Sequence, residues 1–182
     1  MKLSLSQIPN AICVLRIALI PPIVLALMRG DYPLALLLVM LAAFSDVLDG
    51  WLAKRFSWQT RIGGWLDPVA DKLLLVTLFI TLAWMGLSPV WLTAVVLGRD
   101  VVIVGGALAF NFLIAKVKAE PSTISKLNTL FQLIYCTLIL ASMAFRLPMD
   151  TALIMAGAAV LVTSVISGLD YVLIWSRRAR LA

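Results

Sequence analysis

Histidine is absent from this 182-residue chain. That excludes an imidazole general base, a Ser-His triad and a His-ligated zinc site. Charge is scarce as well: 13% of residues are charged against 63% hydrophobic, with a mean hydropathy of +1.05. A soluble domain would be about a quarter charged and about half apolar. The balance excludes a soluble globular fold, a disordered chain and a nucleic-acid-binding domain with a basic solvated face. It leaves an integral membrane protein with little outside the bilayer. Only two cysteines occur, Cys13 and Cys136, both inside apolar runs. They offer no disulfide framework or zinc cluster and read as small apolar fillers. A cleavable signal peptide is not expected, because the first apolar run follows a single Lys and continues past two prolines without an A-x-A site.

What the chain has in excess is long apolar runs. At roughly 20 apolar residues per crossing, the runs predict six helices: about Ala11 to Met28, Pro33 to Ala53, Pro68 to Gly86, Pro89 to Ala115, Ser125 to Phe145 and Thr151 to Trp175. Arg16 and Pro21-Pro22 interrupt the first, and the prolines should kink it. The expected fold is therefore an all-α integral membrane bundle of six transmembrane helices, with residues 1–182 as a single domain and no internal repeat. Six crossings put both termini on one side. That side collects Lys2, Lys54, Arg55, Arg61, Lys116, Lys118, Lys126, Arg177, Arg178 and Arg180, while the opposite loops hold Arg29 and Arg146. Ten against two is a positive-inside bias that assigns both termini, and the loop after the second helix, to the cytoplasm. Trp51 and Trp175, near helix ends, suit interfacial anchoring or packing in the bundle.

Acidic residues are few, nine in all, yet four of them fall between positions 46 and 71. Asp46 and Asp49 are spaced i, i+3 on one helix face, and Asp67 and Asp71 are i, i+4 on one face of the next. A short loop sets these helices side by side, so the four carboxylates can converge near the cytoplasmic membrane boundary. Like charges so close repel strongly in a low dielectric, and divalent cations remove the repulsion. An all-oxygen site suits Mg²⁺ or Mn²⁺. Gly50 and Ala53 share the stripe of Asp46 and Asp49 and leave room for a ligand at the backbone. Each residue also has a plainer role. Asp67 before Pro68 suits a helix N-cap, and Gly50 and Ala53 suit helix packing. Acidic residues in a membrane segment, by contrast, are expensive and usually functional.

The stretch from Asp46 to Asp71 resembles the signature of the CDP-alcohol phosphatidyltransferases, D-x2-D-G-x2-A-R-x8-G-x3-D-x3-D. Asp46, Asp49, Gly50, Ala53, Gly63, Asp67 and Asp71 match it with the spacing intact, and Lys54 stands where the family has Arg. Lysine keeps the charge but loses the bidentate fork for phosphate. The resemblance implies that the phosphatidyl group of CDP-diacylglycerol passes to an acceptor hydroxyl with release of CMP. It implies that Asp46, Asp49 and Asp67 hold two Mg²⁺ or Mn²⁺ ions, with Asp71 as a further ligand and the general base. Asp46, Gly50, Ala53, Lys54, Gly63 and Asp67 would form the nucleotide site. It also implies a homodimer in a multi-pass membrane location, here the bacterial inner membrane with the active site facing the cytoplasm. Two metals on a pyrophosphate ester require little beyond in-line positioning and charge neutralisation, and a carboxylate can take the proton where no histidine exists.

The second half carries a weaker signal. Arg99-Asp100 sits mid-helix, and Glu120-Pro-Ser-Thr-Ile-Ser125-Lys126-Leu-Asn128-Thr129-Leu-Phe-Gln132 opens the fifth helix. Both segments resemble those of eukaryotic-type cardiolipin synthases, in which phosphatidylglycerol is the acceptor. Relatives that use glycerol 3-phosphate commonly carry a second lysine where this chain has Asn128. A phosphate monoester of about −1.5 to −2 charge gains more from cations than a singly charged diester does. Arg99, Lys126 and Asn128 are thus the candidate acceptor residues, although Lys126 also fits the positive-inside rule and Arg99 also fits pairing with Asp100. The readings to weigh against this one are phosphatidylglycerophosphate synthesis, a cation transporter and a UbiA-like prenyltransferase. Transporters often show inverted repeats and paired broken helices, which are missing here, and the aspartate motifs of the prenyltransferases are spaced differently.

Overall fold

The computed structural model describes the backbone of residues 8–56, 63–113 and 123–181, and the side chains of 12–46, 48, 69–106 and 123–173. Among the described residues the chain is all-helical, with no strand: α1 (Ile8–Met28), α2 (Tyr32–Phe56), α3 (Gly63–Trp84), α4 (Val90–Leu113), α5 (Thr123–Phe145) and α6 (Asp150–Leu181). The number and order of helices are those expected, and two boundaries differ by more than three residues. α3 begins at Gly63, so Asp67 lies a turn inside the helix and does not cap it at Pro68. A proline in the opening turns forfeits one backbone hydrogen bond, which the helix tolerates. α6 continues past Trp175 to Leu181, because Arg177, Arg178 and Arg180 are good helix formers and their charge suits a helix C-terminus. α1 runs on through Pro21-Pro22 as one helix.

Thr123–Phe145 and Asp150–Leu173 are long and apolar enough to cross a bilayer, with mean hydropathies of 1.6 and 2.2, and Ile12–Met28 and Tyr32–Asp46 form shorter apolar stretches. Large apolar side chains point outward: Trp84, Val90, Val101, Ile154 and Met155 are each more than two-thirds exposed. Buried within are Arg16, Arg99, Asn128, Gln132, Ser164 and Ser167. An apolar exterior around a partly polar interior is favourable only where the surrounding solvent is hydrocarbon.

The chain divides into two compact units, one of Met1–Met85 with Ile139–Pro148 and one of Gly86–Leu138 with Met149–Ala182. In the first, α1 packs against both α2 and α3. A tight turn joins α1 to α2. Gly30 takes φ +74°, its N–H donating to the Leu27 carbonyl, while the Asp31 N–H donates to the Ala26 carbonyl, both at 2.9 Å. This is a Schellman C-cap, and its left-handed residue is best supplied by glycine. Asp31 then caps α2, its carboxylate accepting from the Leu34 N–H at 3.2 Å. Asp31→Ala is expected to destabilise this unit by about 1 kcal/mol, read as a lower thermal midpoint in detergent, while Asp31→Asn should hold the wild-type value.

In the second unit α4 packs against α6. Gly157 of α6 faces both α4 and α5 closely. A Cβ there would lie 3.3 Å from Tyr135 Cε2 on α5 and 3.7 Å from Leu92 Cδ2 on α4. The Tyr135 hydroxyl lies 3.3 Å from that of Ser88. Cys13 and Cys136 are buried, as apolar fillers should be.

Candidate active site

The hairpin of α1 and α2 acts as a ruler. Arg16 lies 14 residues before Gly30 and Asp46 lies 16 after it. At 1.5 Å per residue these are about 21 and 24 Å from the turn, nearly the same depth on adjacent helices. Arg16 Nη2 is 3.1 Å from Asp46 Oδ1, and Nη1 donates to Asp71 Oδ1 of α3. One guanidinium thus joins carboxylates contributed by two other helices. Its side chain is wholly buried, whereas those of Asp46 and Asp71 are 42% and 32% exposed. The cation is sealed and the carboxylates are reachable from outside. A lone arginine in a membrane helix costs about 2.5–3.5 kcal/mol on insertion scales, and the two carboxylates offset that cost.

Of the four signature aspartates, Asp46 and Asp71 are therefore brought together. Asp49 belongs to α2 and Asp67 to α3. Their side chains lie outside the described set, as do those of Ala53, Lys54, Trp51 and Trp175 and the surroundings of Gly50 and Gly63. Two carboxylates from separate helices, both partly exposed, form a donor set of hard oxygens alone. That chemistry fits Mg²⁺ or Mn²⁺ and is poorly matched to zinc or copper.

A second polar group belongs to the other unit. Arg99 of α4 is buried. Its Nη1 donates to Asp100 Oδ1 at 2.7 Å, and its Nη2 reaches Ser125 Oγ of α5 and Ser167 Oγ of α6, each at 2.6 Å. Asn128 is wholly buried, and its Oδ1 accepts from Ser164 Oγ of α6 at 2.9 Å. The Asn128 Nδ2 and Gln132 Nε2 atoms, one turn apart on α5, are buried with no hydrogen-bond partner among the described residues. Such donors are rare in native folds. Lys126 is exposed on the first turn of α5. So Arg99 and Asn128 are both tied to α6, and Arg99 also to the residue beside Lys126.

Sequence reasoning treats Arg16 as an interruption of an apolar run and passes over Ser164 and Ser167. The serines carry no sequence signal above their helix. Arg16 does carry one, being a cation inside an apolar segment at nearly the same distance from a Gly-Asp turn as the first signature aspartate.

Residues 6–169 match the family model of the CDP-alcohol phosphatidyltransferases. The cardiolipin synthase (CMP-forming) of Homo sapiens is 34% identical over 155 residues, covering 76% of this chain and 52% of that protein. The CDP-diacylglycerol–glycerol-3-phosphate 3-phosphatidyltransferase of Aquifex aeolicus is 35% identical over 130 residues, covering 69% of this chain and 70% of that protein. The cardiolipin synthase (CMP-forming) of Streptomyces coelicolor is 34% identical over 102 residues, 53% of this chain and 47% of that protein. The chain spans about half the length of these two cardiolipin synthases.

Proposed function

Because this chain belongs to the CDP-alcohol phosphatidyltransferase family, we propose that it transfers the phosphatidyl group of CDP-diacylglycerol to the hydroxyl of phosphatidylglycerol, forming cardiolipin and CMP. The observation that carries this reading is the meeting of Asp46 and Asp71 at one buried guanidinium, since the signature requires its first and last carboxylates to share a site. Asp71 takes the proton of the acceptor hydroxyl. The acceptor oxygen then forms a bond to the β-phosphorus of the CDP group, the bond from that phosphorus to the bridging oxygen breaks, and CMP leaves with the electron pair. Asp46, Asp49, Asp67 and Asp71 would hold the divalent ions that the family uses. When bound, these ions neutralise the pyrophosphate. Gly50, Ala53, Lys54 and Gly63 would accommodate the nucleotide. In this reading six helices span the bacterial inner membrane, both termini and the active site face the cytoplasm, and the protein is a homodimer.

The acceptor assignment is supported by charge. Arg99 is balanced by Asp100, and the neighbouring donors at Asn128 and Gln132 are neutral amides. A buried set so close to neutrality suits a singly charged diester arriving through the membrane better than the doubly charged glycerol 3-phosphate. The burial of Asn128 against α6 also bears on the lysine found there in relatives, since Asn128→Lys would press an ammonium group into a helix contact. The test supplies phosphatidylglycerol and glycerol 3-phosphate at equal concentration with excess CDP-diacylglycerol and Mn²⁺, and separates the lipid products by chromatography. Cardiolipin should dominate. If phosphatidylglycerophosphate dominates instead, the acceptor is glycerol 3-phosphate. If neither lipid nor CMP is formed, the transferase reading itself falls. Lys126→Ala should raise the acceptor KM roughly tenfold, the worth of one charged hydrogen bond of ~1.5 kcal/mol, and leave the CDP-diacylglycerol KM unchanged.

A further inference from the structure

We propose that Arg16 is a positioning residue, a built-in counter-cation that holds Asp46 and Asp71 in working register before metal and substrate arrive. The inference rests on the transferase reading above. Burial at this site is asymmetric: the guanidinium is wholly enclosed, while both carboxylates it joins keep an exposed part. A residue that touched substrate would have its charged end at the exposed edge. Arg16 has it on the inner side, behind the carboxylates. It meets each partner through a separate nitrogen, Nη2 for Asp46 and Nη1 for Asp71. The planar fork fixes the distance between its two nitrogens, so it fixes the relative placement of two carboxylates on different helices. A lysine ammonium carries the same charge at a single point and cannot impose that spacing.

Electrostatics adds a second reason. Without a cation, Asp46 and Asp71 would repel and drive α2 and α3 apart at this level. α1 packs on both helices, so it can deliver one positive charge to the pair from the buried side, while each carboxylate keeps an exposed part. The carboxylates then begin in place, and the ion does not have to organise them. This is the role that outer partners of metal-binding carboxylates play, and losing such a partner typically lowers metal affinity or activity about 10–100-fold.

The experiment compares wild type, Arg16→Gln and Arg16→Lys as purified proteins in the same detergent, after size-exclusion chromatography and circular dichroism. Mn²⁺ binding is measured by calorimetry without lipid substrate, and CMP release is assayed separately. Arg16→Gln should lower both Mn²⁺ affinity and kcat about 10–100-fold, with the CDP-diacylglycerol KM at saturating Mn²⁺ moving less than about threefold, because Arg16 meets the carboxylates and not the substrate. Arg16→Lys should recover part of the loss and not all of it. A folded Arg16→Gln that binds Mn²⁺ as wild type does, or more tightly, overturns the proposal. If Arg16→Gln does not fold, Arg16→Lys decides alone: wild-type metal affinity and kcat in that variant overturn it, and a loss in both supports it. A loss confined to thermal stability, with metal affinity and kcat intact, overturns it as well and leaves Arg16 as packing. The transferase reading fails separately, through a wild-type protein that neither binds Mn²⁺ nor releases CMP.

Discussion

Asp71→Asn is expected to lower kcat by about 10²–10⁴-fold, the usual contribution of a general base, while CDP-diacylglycerol binding stays within about threefold of wild type. The substitution is nearly isosteric. The side-chain oxygen of the introduced amide can still accept from Arg16 Nη1, the contact that Asp71 makes through Oδ1, so α3 should keep its place against α1. What is lost is the capacity to take a proton from the acceptor hydroxyl, while the amide oxygen remains as a neutral ligand toward the metal. With no histidine in the chain, no imidazole can replace it. The measurement is CMP release under saturating acceptor, paired with binding of CDP-diacylglycerol to the inactive protein. Near wild-type turnover in a correctly folded Asp71→Asn protein removes Asp71 from that role.

Asp46→Ala should produce a different phenotype: metal and nucleotide affinity lost together, each by more than about a hundredfold. The expected effect exceeds the 10–100-fold typical of an outer partner, because the carboxylate is assigned to the metal itself. Truncation also takes from Arg16 one of the two carboxylates it joins among the described residues. A buried cation short of a partner is destabilising, and the 42% exposure of the Asp46 side chain moderates the cost. Calorimetric titration with Mn²⁺, then with CDP-diacylglycerol in Mn²⁺, reads both affinities. Wild-type Mn²⁺ affinity in this variant contradicts the metal assignment and leaves the Asp71 prediction standing.

The helices are legible in the sequence because each apolar run is bounded by turn residues such as Gly30-Asp31 and Ser88-Pro89, and because lipid-facing and core positions are both apolar, which keeps the runs continuous. Their ends are less legible. Hydropathy stops at Trp175, but backbone hydrogen bonding does not, and α6 runs on through its arginines. Asp67-Pro68 looks like a helix start because a cap and an N1 proline share that dipeptide, whereas α3 has already begun at Gly63. The carboxylate spacing is readable within α2 and within α3, and of the four aspartates the meeting of Asp46 and Asp71 is the part that falls among the described side chains. Arg16 is not readable, since its partners lie 30 and 55 residues away in sequence, and only the hairpin register brings it to their level. The contacts of Asn128 and Arg99 with Ser164 and Ser167 are of the same kind. They depend on where α6 lies, and serine in an apolar helix gives no hint of a partner.

The α1–α2 turn has a consequence for how the chain enters a membrane. The Schellman cap at Gly30 and the Asp31 cap are formed from contacts within a few residues of each other, so the hairpin can close before any later helix exists. Once it closes, Arg16 and Asp46 face each other, and the pair can partition into lipid as a net-neutral unit. Neither Arg16 nor Asp46 then has to cross the insertion barrier unpaired. Asp71 would join a guanidinium already in place when α3 follows, so biogenesis would run in the order in which the helices are synthesised. A substitution that opens the turn, such as Gly30→Val, would act first on the yield of inserted protein, before any effect on catalysis could be measured.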